Sequence, residues 1–275
     1  MSLAALGMDG VPALDPLSYP GRVVDGPALL SGTQLLRMTP TAEPIGRWRV
    51  HQDTNPACSL DDVLADLDSP PTSERHPLIA VGSNAAPAQL HHKLTRLGLP
   101  AVVPMTPLRV SGLGVGVSAH VALNGYVANS PFADPDSTAD VVLTFLDADQ
   151  LCAVDDTELP RYHRVLLSGA EFDMTLPSGE RVDTAYLYVN AAGVLAARDG
   201  TPRVPGAQEA LLAELLERSP RLRALFDSPQ DWIAKARADA DLRATVKQIF
   251  HESGWVLRQE AWREVSPLAT SGDHP

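Results

Sequence analysis

The order of strand-like and helix-like segments is the feature that most constrains how this 275-residue chain can fold. β-branched and apolar runs recur through the middle of the chain, among them residues 115–123 and 139–146, and they predict a succession of strands. After Pro205 the pattern changes, and helical spacing predicts helices over residues 207–218 and 229–252. This order predicts an α+β fold in which a β-rich body is followed by a helical tail.

A strand, a tight turn and a helix are predicted in succession near residue 80. Residues 76–81 form a short apolar run typical of a buried strand, and the Gly-Ser-Asn sequence at residues 82–84 predicts a turn. Pro87 suits the first turn of a helix, and Gly98 suits its end. The amides of the turn and of the helix start would form an anion site for a small carboxylate, whereas the alternative is a purely structural turn.

A second segment with polar side chains follows further along the chain. Residues 149–154 predict one helical turn, which Asp147 or Asp149 would cap. Glu158 comes shortly after this turn, and Tyr162 stands just ahead of the next strand pattern. Taken alone, Glu158 is explained as a surface carboxylate.

Taken together, these segments resemble the γ-glutamylcyclotransferase family. That family combines a strand and a Tyr-Gly-Ser-Asn-Leu motif with a later Leu-Asp-x-x-Glu turn and a Tyr-x-Arg-Val strand. The corresponding segments here are Val81-Gly-Ser-Asn-Ala85, Val154-Asp-Asp-Thr-Glu158 and Tyr162-His-Arg-Val165. The resemblance covers roughly residues 77–190, and it departs from the family at Val81 and Ala85, where the family has Tyr and Leu.

The resemblance implies an α+β fold with a small, mixed, β-barrel-like body, an N-terminal extension and a C-terminal helical tail. The expected boundaries are an extension over residues 1–74, a γ-glutamylcyclotransferase-like domain over residues 75–195 and a tail over residues 206–275. Within the extension, weak strand patterns lie at residues 22–24 and 34–38, and a Ser-x-x-Asp capping box predicts a short helix over residues 59–67.

The resemblance also implies cleavage of a γ-glutamyl amide without a cofactor or metal. The substrate's own α-amine would attack its γ-carbonyl, and the products would be 5-oxoproline and the freed amine. Glu158 is the expected general base and acid, and a partly apolar site is expected to raise its pKa. The expected substrate-binding residues are Gly82, Ser83, Asn84, Ala85, Tyr126 and Tyr162.

Two alternatives stay open at this stage. The same fold could catalyse a different amide reaction, hydrolysis or acyl transfer, because Val81 and Ala85 change the shape of the pocket. A free acid rather than a cyclic lactam would then be formed. The chain could instead be a non-catalytic module that binds a small carboxylate or a protein partner.

Composition and charge limit the classes of partner. The formal charge is −12, the pI is about 5.0 and aromatic residues make up 5% of the chain. A nucleic-acid-binding protein is not expected, because it needs a basic surface and aromatic residues that stack on bases. No sequence pattern predicts a membrane span or a signal peptide, so a cytoplasmic protein is expected. The tail helices would cover the sheet or form a homodimer contact.

Three further patterns do not support a site. His91 and His92 are adjacent and point about 100° apart on a helix, which prevents them from ligating one metal ion. The glycine-rich segment at residues 112–116 is not followed by a helix or a Lys-Ser/Thr pair, as a phosphate-binding loop would be. Residues 116–120 fail the nucleophile-elbow pattern, because His120 stands where glycine is required.

Overall fold

The computed structural model describes residues 1–52, 57–159 and 161–259. The architecture is α+β, with a large, mostly antiparallel sheet, as the order of sequence patterns predicts. In the described residues the strands are β1 (Ala28–Ser31), β2 (Gln34–Thr39), β3 (Arg49–Val50), β4 (Cys58–Ser59), β5 (His76–Ala80), β6 (Val102–Val121), β7 (Val127–Leu146), β8 (Tyr162–Ser168), β9 (Met174–Thr175), β10 (Thr184–Asn190), β11 (Val194–Leu195) and β12 (Val256–Leu257). The helices of the same residues are α1 (Leu60–Asp66), α2 (Pro87–Arg96), α3 (Ala148–Glu158), α4 (Gln208–Arg218), α5 (Pro220–Arg223), α6 (Pro229–Ala238) and α7 (Ala240–Glu252).

Two long strands form the centre of the sheet. β6 and β7 make an antiparallel hairpin whose register shifts at two places, one of them beside Gly112. Gly112 has a φ of +86°, so the glycine-rich segment is a bend within a strand. β5 lies next to β7 on one side, antiparallel, and next to β10 on the other side, parallel. The end of β5 is therefore held in place from both sides.

The sheet is not closed into a barrel. Its strand order is β4-β3-β2-β1-β6-β7-β5-β10-β8, and the end strands β4 and β8 do not pair with each other in the described residues. Closure requires that the end strands pair along their lengths. Because β3 and β4 are only 2 residues long each and β4 leads directly into α1, the sheet ends there instead. The expectation of a barrel-like body is wrong.

The N-terminal segment contributes strands to the same sheet. β1 pairs with β6, with Ala28 opposite Met105, and β2 and β3 extend the sheet from there. β2 contains the strand predicted at residues 34–38, whereas residues 22–24 lie in no strand. Ser59 caps α1, and its hydroxyl accepts from a backbone N–H of the first turn, as the capping box predicts.

Side-chain caps decide where two further helices begin. The Asp147 carboxylate accepts from the Gln150 N–H at 2.9 Å, while the Gln150 side chain accepts from the Asp147 N–H at 3.1 Å. From this capping box α3 runs to Glu158, well beyond the single turn that was expected. The helix predicted over residues 229–252 is two helices, because the Asp239 carboxylate accepts from two N–H groups of the first turn of α7 and starts a new helix.

The tail helices pack against the end of the β6–β7 hairpin at which β6 turns into β7. The fully buried Trp232 and Phe250 belong to one core cluster with Val117 and Val127. The Trp232 Nε1–H donates to the carbonyl oxygen of Gly125 at 3.1 Å. This contact holds α6 against the turn between β6 and β7. In the described part of the chain, no helix is long and apolar enough to cross a membrane.

Candidate active site

A cavity of about 600 Å³ lies where the turn after β5 meets the end of α3 and the turn between β6 and β7. The predicted site residues that line it are Gly82, Ser83, Asn84, Tyr126, Glu158 and Tyr162. Ala85 is placed differently, since it is buried and packs in the hydrophobic core. The structure thus brings together most of the predicted site residues, although they come from segments far apart in the sequence.

The turn after β5 has the conformation that the sequence predicts. Ser83–Ala85 forms a short 3₁₀ helix, and α2 follows with Pro87 in its first turn. Glycine is required at position 82 by a close approach, because a Cβ there would collide with the hydroxyl of Tyr19. The Asn129 side chain donates to the Val81 carbonyl oxygen at 2.9 Å, which ties the turn to β7.

Glu158 forms an ion pair at the cavity wall. Its Oε1 accepts from Lys93 Nζ at 3.0 Å and from Asn84 Nδ2 at 3.0 Å. Lys93 Nζ also donates to Asn84 Oδ1 at 2.8 Å, which closes a triangle of contacts. The side chains of Lys93 and Glu158 are 11% and 19% exposed. The sequence does not reveal Lys93, because it lies 65 positions before Glu158 on a different helix.

The pKa of Glu158 lies below its ordinary value. Burial is the largest single influence and raises the pKa, but the charge and hydrogen bond of Lys93, the hydrogen bond of Asn84 and the charge of Arg161 together outweigh it. The expected rise is therefore wrong, because it took account of the apolar surroundings and not of the two cations. Glu158 is ionised at neutral pH and can accept a proton.

Four of the chain's 5 tyrosines line the cavity, namely Tyr19, Tyr126, Tyr162 and Tyr188. Tyr19 stacks on Tyr126 with ring centroids 4.2 Å apart, and its hydroxyl accepts from the Asn129 N–H at 2.8 Å. Burial raises the pKa of all four, so their hydroxyls stay protonated and neutral. The proline-rich surroundings of Tyr19 carry no regular pattern, so the sequence does not place it here.

His120 also lines the cavity, beside Tyr162. The His120 Nε2 lies 3.5 Å from the Tyr162 hydroxyl oxygen, and the two rings meet edge to face with centroids 5.5 Å apart. On its other side, His120 Nδ1 contacts the side chains of Ser118 and Asn190. The sequence identifies His120 only as a mismatch to the nucleophile elbow, and nothing in it connects β6 to Asn190 at the end of β10.

The two other carboxylates near the end of α3 have different surroundings. Asp155 is buried and bonds to Arg164 at 2.6 Å and to the Tyr188 hydroxyl at 2.6 Å. Asp156 is exposed at the edge of the cavity. Of the three carboxylates, Glu158 alone is largely buried and lines the cavity.

The cavity has a basic wall, although the whole chain has a formal charge of −12. The charged lining residues are Lys93, Arg96, Arg161 and Arg237 on the basic side and Asp156 and Glu158 on the acidic side. The basic residues come from α2, from the residues before β8 and from α6, so no charge run in the sequence reveals them. At short range these local charges decide which ligand is attracted, because distant surface charges are screened.

The residues that the structure describes contain no group of three or more His, Cys, Asp or Glu side chains placed to hold a metal ion. His92 lines the cavity from α2, and burial lowers its pKa, with the charges of Arg96 and His91 acting in the same direction.

No family model matches this chain, and no curated protein matches it. Seven chains of solved structures do. A gamma-glutamyl cyclotransferase is 12% identical, with 64% of this chain and 99% of that chain covered and a TM-score of 0.36. An Arabidopsis thaliana protein solved in solution is 14% identical, with 55% and 92% covered and a TM-score of 0.35. A Homo sapiens protein solved by crystallography is 12% identical, with 63% and 99% covered and a TM-score of 0.34.

At these identities, and with TM-scores below 0.5, the likenesses establish neither a shared fold nor a shared activity.

Proposed function

We propose that this protein cleaves a γ-glutamyl amide by intramolecular cyclisation, with Glu158 as the general base and acid. One observation carries the proposal. The Glu158 carboxylate and the turn at residues 82–84 line the same cavity, and Asn84 connects them through its hydrogen bond to Glu158 at 3.0 Å. The resemblance of these two segments to the γ-glutamylcyclotransferase motifs supports the same activity.

The reaction requires mainly that the substrate be held in a folded conformation. The α-amine of the γ-glutamyl group attacks the γ-carbonyl carbon of the same molecule, so the reacting atoms are already joined and need only be oriented. A new N–C bond forms, the C–N bond to the leaving amine breaks, and one proton passes from the α-ammonium to that amine. A single carboxylate can carry out both proton transfers in sequence. The products are 5-oxoproline and the free amine.

The Lys93 ion pair determines how Glu158 takes part. Both hydrogen bonds that Glu158 accepts from Lys93 and Asn84 fall on Oε1, which leaves Oε2 for the substrate's α-ammonium. Lys93 keeps the carboxylate ionised, so Glu158 can bind the ammonium before it accepts the proton. Because Lys93 lowers the pKa of Glu158, the carboxylate is a weak base, and it takes the proton as the amine attacks the γ-carbonyl carbon.

The turn and the tyrosines would bind the rest of the γ-glutamyl group. The first N–H groups of a helix have no acceptor within that helix, so the N–H groups at residues 82–84 would hold the α-carboxylate. The neutral hydroxyls of Tyr126 and Tyr162 supply further donors at the cavity wall. The Tyr126 hydroxyl also contacts the side chains of Ser83 and Asn124, which fixes its position.

The cavity wall supports an amine half that is bulky and negatively charged. Three arginines line the cavity beyond Glu158, and a cavity of about 600 Å³ has room for more than a γ-glutamyl group. Three exposed leucines also line it, and such exposed apolar side chains suit an apolar part of the ligand. These leucines are Leu14, Leu97 and Leu123.

The test is incubation of the full chain with a panel of γ-glutamyl amines, amino acids and peptides, followed by measurement of 5-oxoproline. We expect the wild type to form 5-oxoproline, with faster turnover when the amine half carries a carboxylate. Glu158→Gln should lower kcat by about 10²- to 10⁴-fold, which is the usual contribution of a general base. Glu217→Gln, which changes an exposed glutamate on α4, is the matched control and should leave turnover unchanged.

Equal turnover by the wild type and Glu158→Gln would contradict the proposal. Free glutamate in place of the lactam would assign hydrolysis to the same site. Thermal stabilisation by γ-glutamyl compounds without any product would identify a binding module instead.

A further inference from the structure

Three buried polar side chains cluster at the cavity that Glu158 lines, and one of them lines it as well. Ser118 and His120 are on β6, Asn190 ends β10, and each is at most 8% exposed. His120 lines the cavity together with Glu158 and Tyr162. Buried polar groups in such an arrangement orient one another through hydrogen bonds.

The Asn190 amide is oriented by its contact with Ala192. The backbone N–H of Ala192 donates to Asn190 Oδ1 at 2.6 Å, so the oxygen of the amide is on that side. The nitrogen Nδ2 therefore lies on the other side, 2.6 Å from His120 Nδ1 and 3.0 Å from Ser118 Oγ. An amide nitrogen can only donate, so both of these atoms accept from it.

The contacts of Nδ1 determine which ring nitrogen of His120 carries the proton. Because Nδ1 accepts a hydrogen bond, a neutral ring carries its proton on Nε2. The ring is neutral at physiological pH, since burial lowers the pKa of His120 to about 4, the positive charges of Lys247 and Arg161 act in the same direction, and the charge of Glu158 opposes them. His120 thus has a single N–H group, at Nε2.

The Nε2–H group of His120 lies beside the Tyr162 hydroxyl. Among the described residues it lies 3.5 Å from the Tyr162 hydroxyl oxygen, which is longer than an ordinary N–H···O hydrogen bond. A ligand oxygen in the cavity can therefore take the hydrogen bond. Ser118 and Asn190 contact the ring at Nδ1, and Asn190 Nδ2 also lies 3.5 Å from Nε2, so the donor is already oriented before a ligand enters.

The geometry points to His120 as a further catalytic residue, whose neutral Nε2–H donates a hydrogen bond to the γ-carbonyl oxygen of the substrate. The inference rests on the proposed cyclisation. As the α-amine attacks, the electron pair of the C=O bond moves to that oxygen, and it returns when the C–N bond breaks. His120 transfers no proton, and the leaving amine receives its proton from Glu158. A preoriented donor at a developing negative charge lowers the barrier without further reorganisation.

The kinetic test compares His120→Leu, which removes the donor, with His120→Gln, whose amide nitrogen can reach the position of Nε2. We expect His120→Leu to lower kcat by about 10²- to 10³-fold with little change in KM, as for loss of one oxyanion donor. We expect His120→Gln to restore part of kcat. Unchanged kcat in His120→Leu, while Glu158→Gln is inactive, would overturn the role of His120 and leave the proposed function standing. Absence of 5-oxoproline from the wild type would overturn both.

A spectroscopic measurement on the wild type covers the case in which His120→Leu fails to fold. Nitrogen-15 NMR of the imidazole at pH 7 should show a neutral ring protonated on Nε2. Asn190 is the positioning residue, and Asn190→Asp tests its role. The aspartate offers an acceptor to His120 Nδ1, so the ring proton should move to Nδ1 and kcat should fall. A wild-type ring that is charged, or protonated on Nδ1, would overturn the inference.

Discussion

Two carboxylates one helical turn apart on α3 differ in how many of their oxygens are bonded to protein groups. Asp155 uses both of its oxygens, since Oδ2 accepts from Arg164 and Oδ1 accepts from the Tyr188 hydroxyl, each at 2.6 Å. Glu158 accepts its hydrogen bonds from Lys93 and Asn84 on Oε1, and it lines a cavity of about 600 Å³. Both carboxylates are largely buried and both are ion-paired.

The difference shows that burial and ion pairing do not by themselves mark a catalytic carboxylate. A carboxylate whose oxygens are all bonded to protein groups can only hold those groups in place. A carboxylate with an oxygen available at a cavity wall can bind a ligand and exchange a proton with it. We therefore expect changes at Asp155 to affect mainly stability, and changes at Glu158 to affect mainly turnover.

The largest expected effect on stability is that of Asp155→Asn. This change leaves the guanidinium of the buried Arg164 without its counter-charge, which costs about 3–5 kcal/mol for a buried ion pair. Urea unfolding at pH 7 measures it. Asp156→Asn changes the exposed neighbour on the same helix, and its cost should be below about 0.5 kcal/mol. Equal stability of Asp155→Asn and Asp156→Asn would contradict the stabilising role assigned to Asp155.

A smaller effect is expected from Tyr188→Phe, which removes the hydroxyl donor to Asp155 Oδ1. A hydrogen bond to a charged group contributes about 1.5–3 kcal/mol. Tyr186→Phe is the matched control on the same strand, because the ring that lies under Arg164 is kept and only the hydroxyl is lost. A thermal or urea unfolding series on both variants gives the comparison. Equal stabilities of the two would show that Asp155 does not depend on Tyr188.

The smallest effect is expected from Lys93→Met, and it should depend on pH. The folded-state pKa of Glu158 is lowered, so the ionised carboxylate stabilises the wild type above its ordinary pKa, and this contribution is lost as pH falls through the folded-state pKa. Without Lys93, only Asn84 and Arg161 oppose the effect of burial, so the pKa rises. The stability gap between wild type and variant should grow from pH 4 to pH 7 and reach about 1–2 kcal/mol.

The same variant gives a kinetic check. The acid limb of the kcat/KM profile reports the pKa of the free enzyme's base, so Lys93→Met should move that limb to higher pH. An acid limb at the same pH in both proteins would show that Lys93 does not affect the pKa of the reacting carboxylate. Lys235→Met, on the exposed side of α6, is the control and should leave the profile in place.

Local signals were sufficient for the parts of the site that lie within one short stretch of sequence. The turn at residues 82–84 and the start of α2 at Pro87 follow from glycine, proline and an apolar run. The position of Glu158 near Tyr162 follows from the family-like motif. The cap at Ser59 was predicted, and the cap at Asp147 was one of two candidates with Asp149, because the bond that each cap makes spans only three residues.

Distant contacts account for two of the predictions that were wrong, and a missed helix cap accounts for another. Closure of the sheet depends on the pairing of its end strands, and no local pattern shows that β4 ends the sheet after two residues. A continuous helical pattern hides the break at Asp239, because aspartate is also found inside helices. The direction of the Glu158 pKa shift depends on Lys93, which only the packing of α2 against α3 brings near.

By itself, the sequence determined the α+β class and the strand, turn and helix around residue 80. These follow from periodicity, capping and turn chemistry, which act over a few residues. Only the tertiary structure decided that the sheet stays open, that Tyr19 reaches the cavity, and that a basic wall holds Glu158 ionised. Charges and hydrogen bonds act over a few ångströms in space, whatever the separation of their residues along the chain.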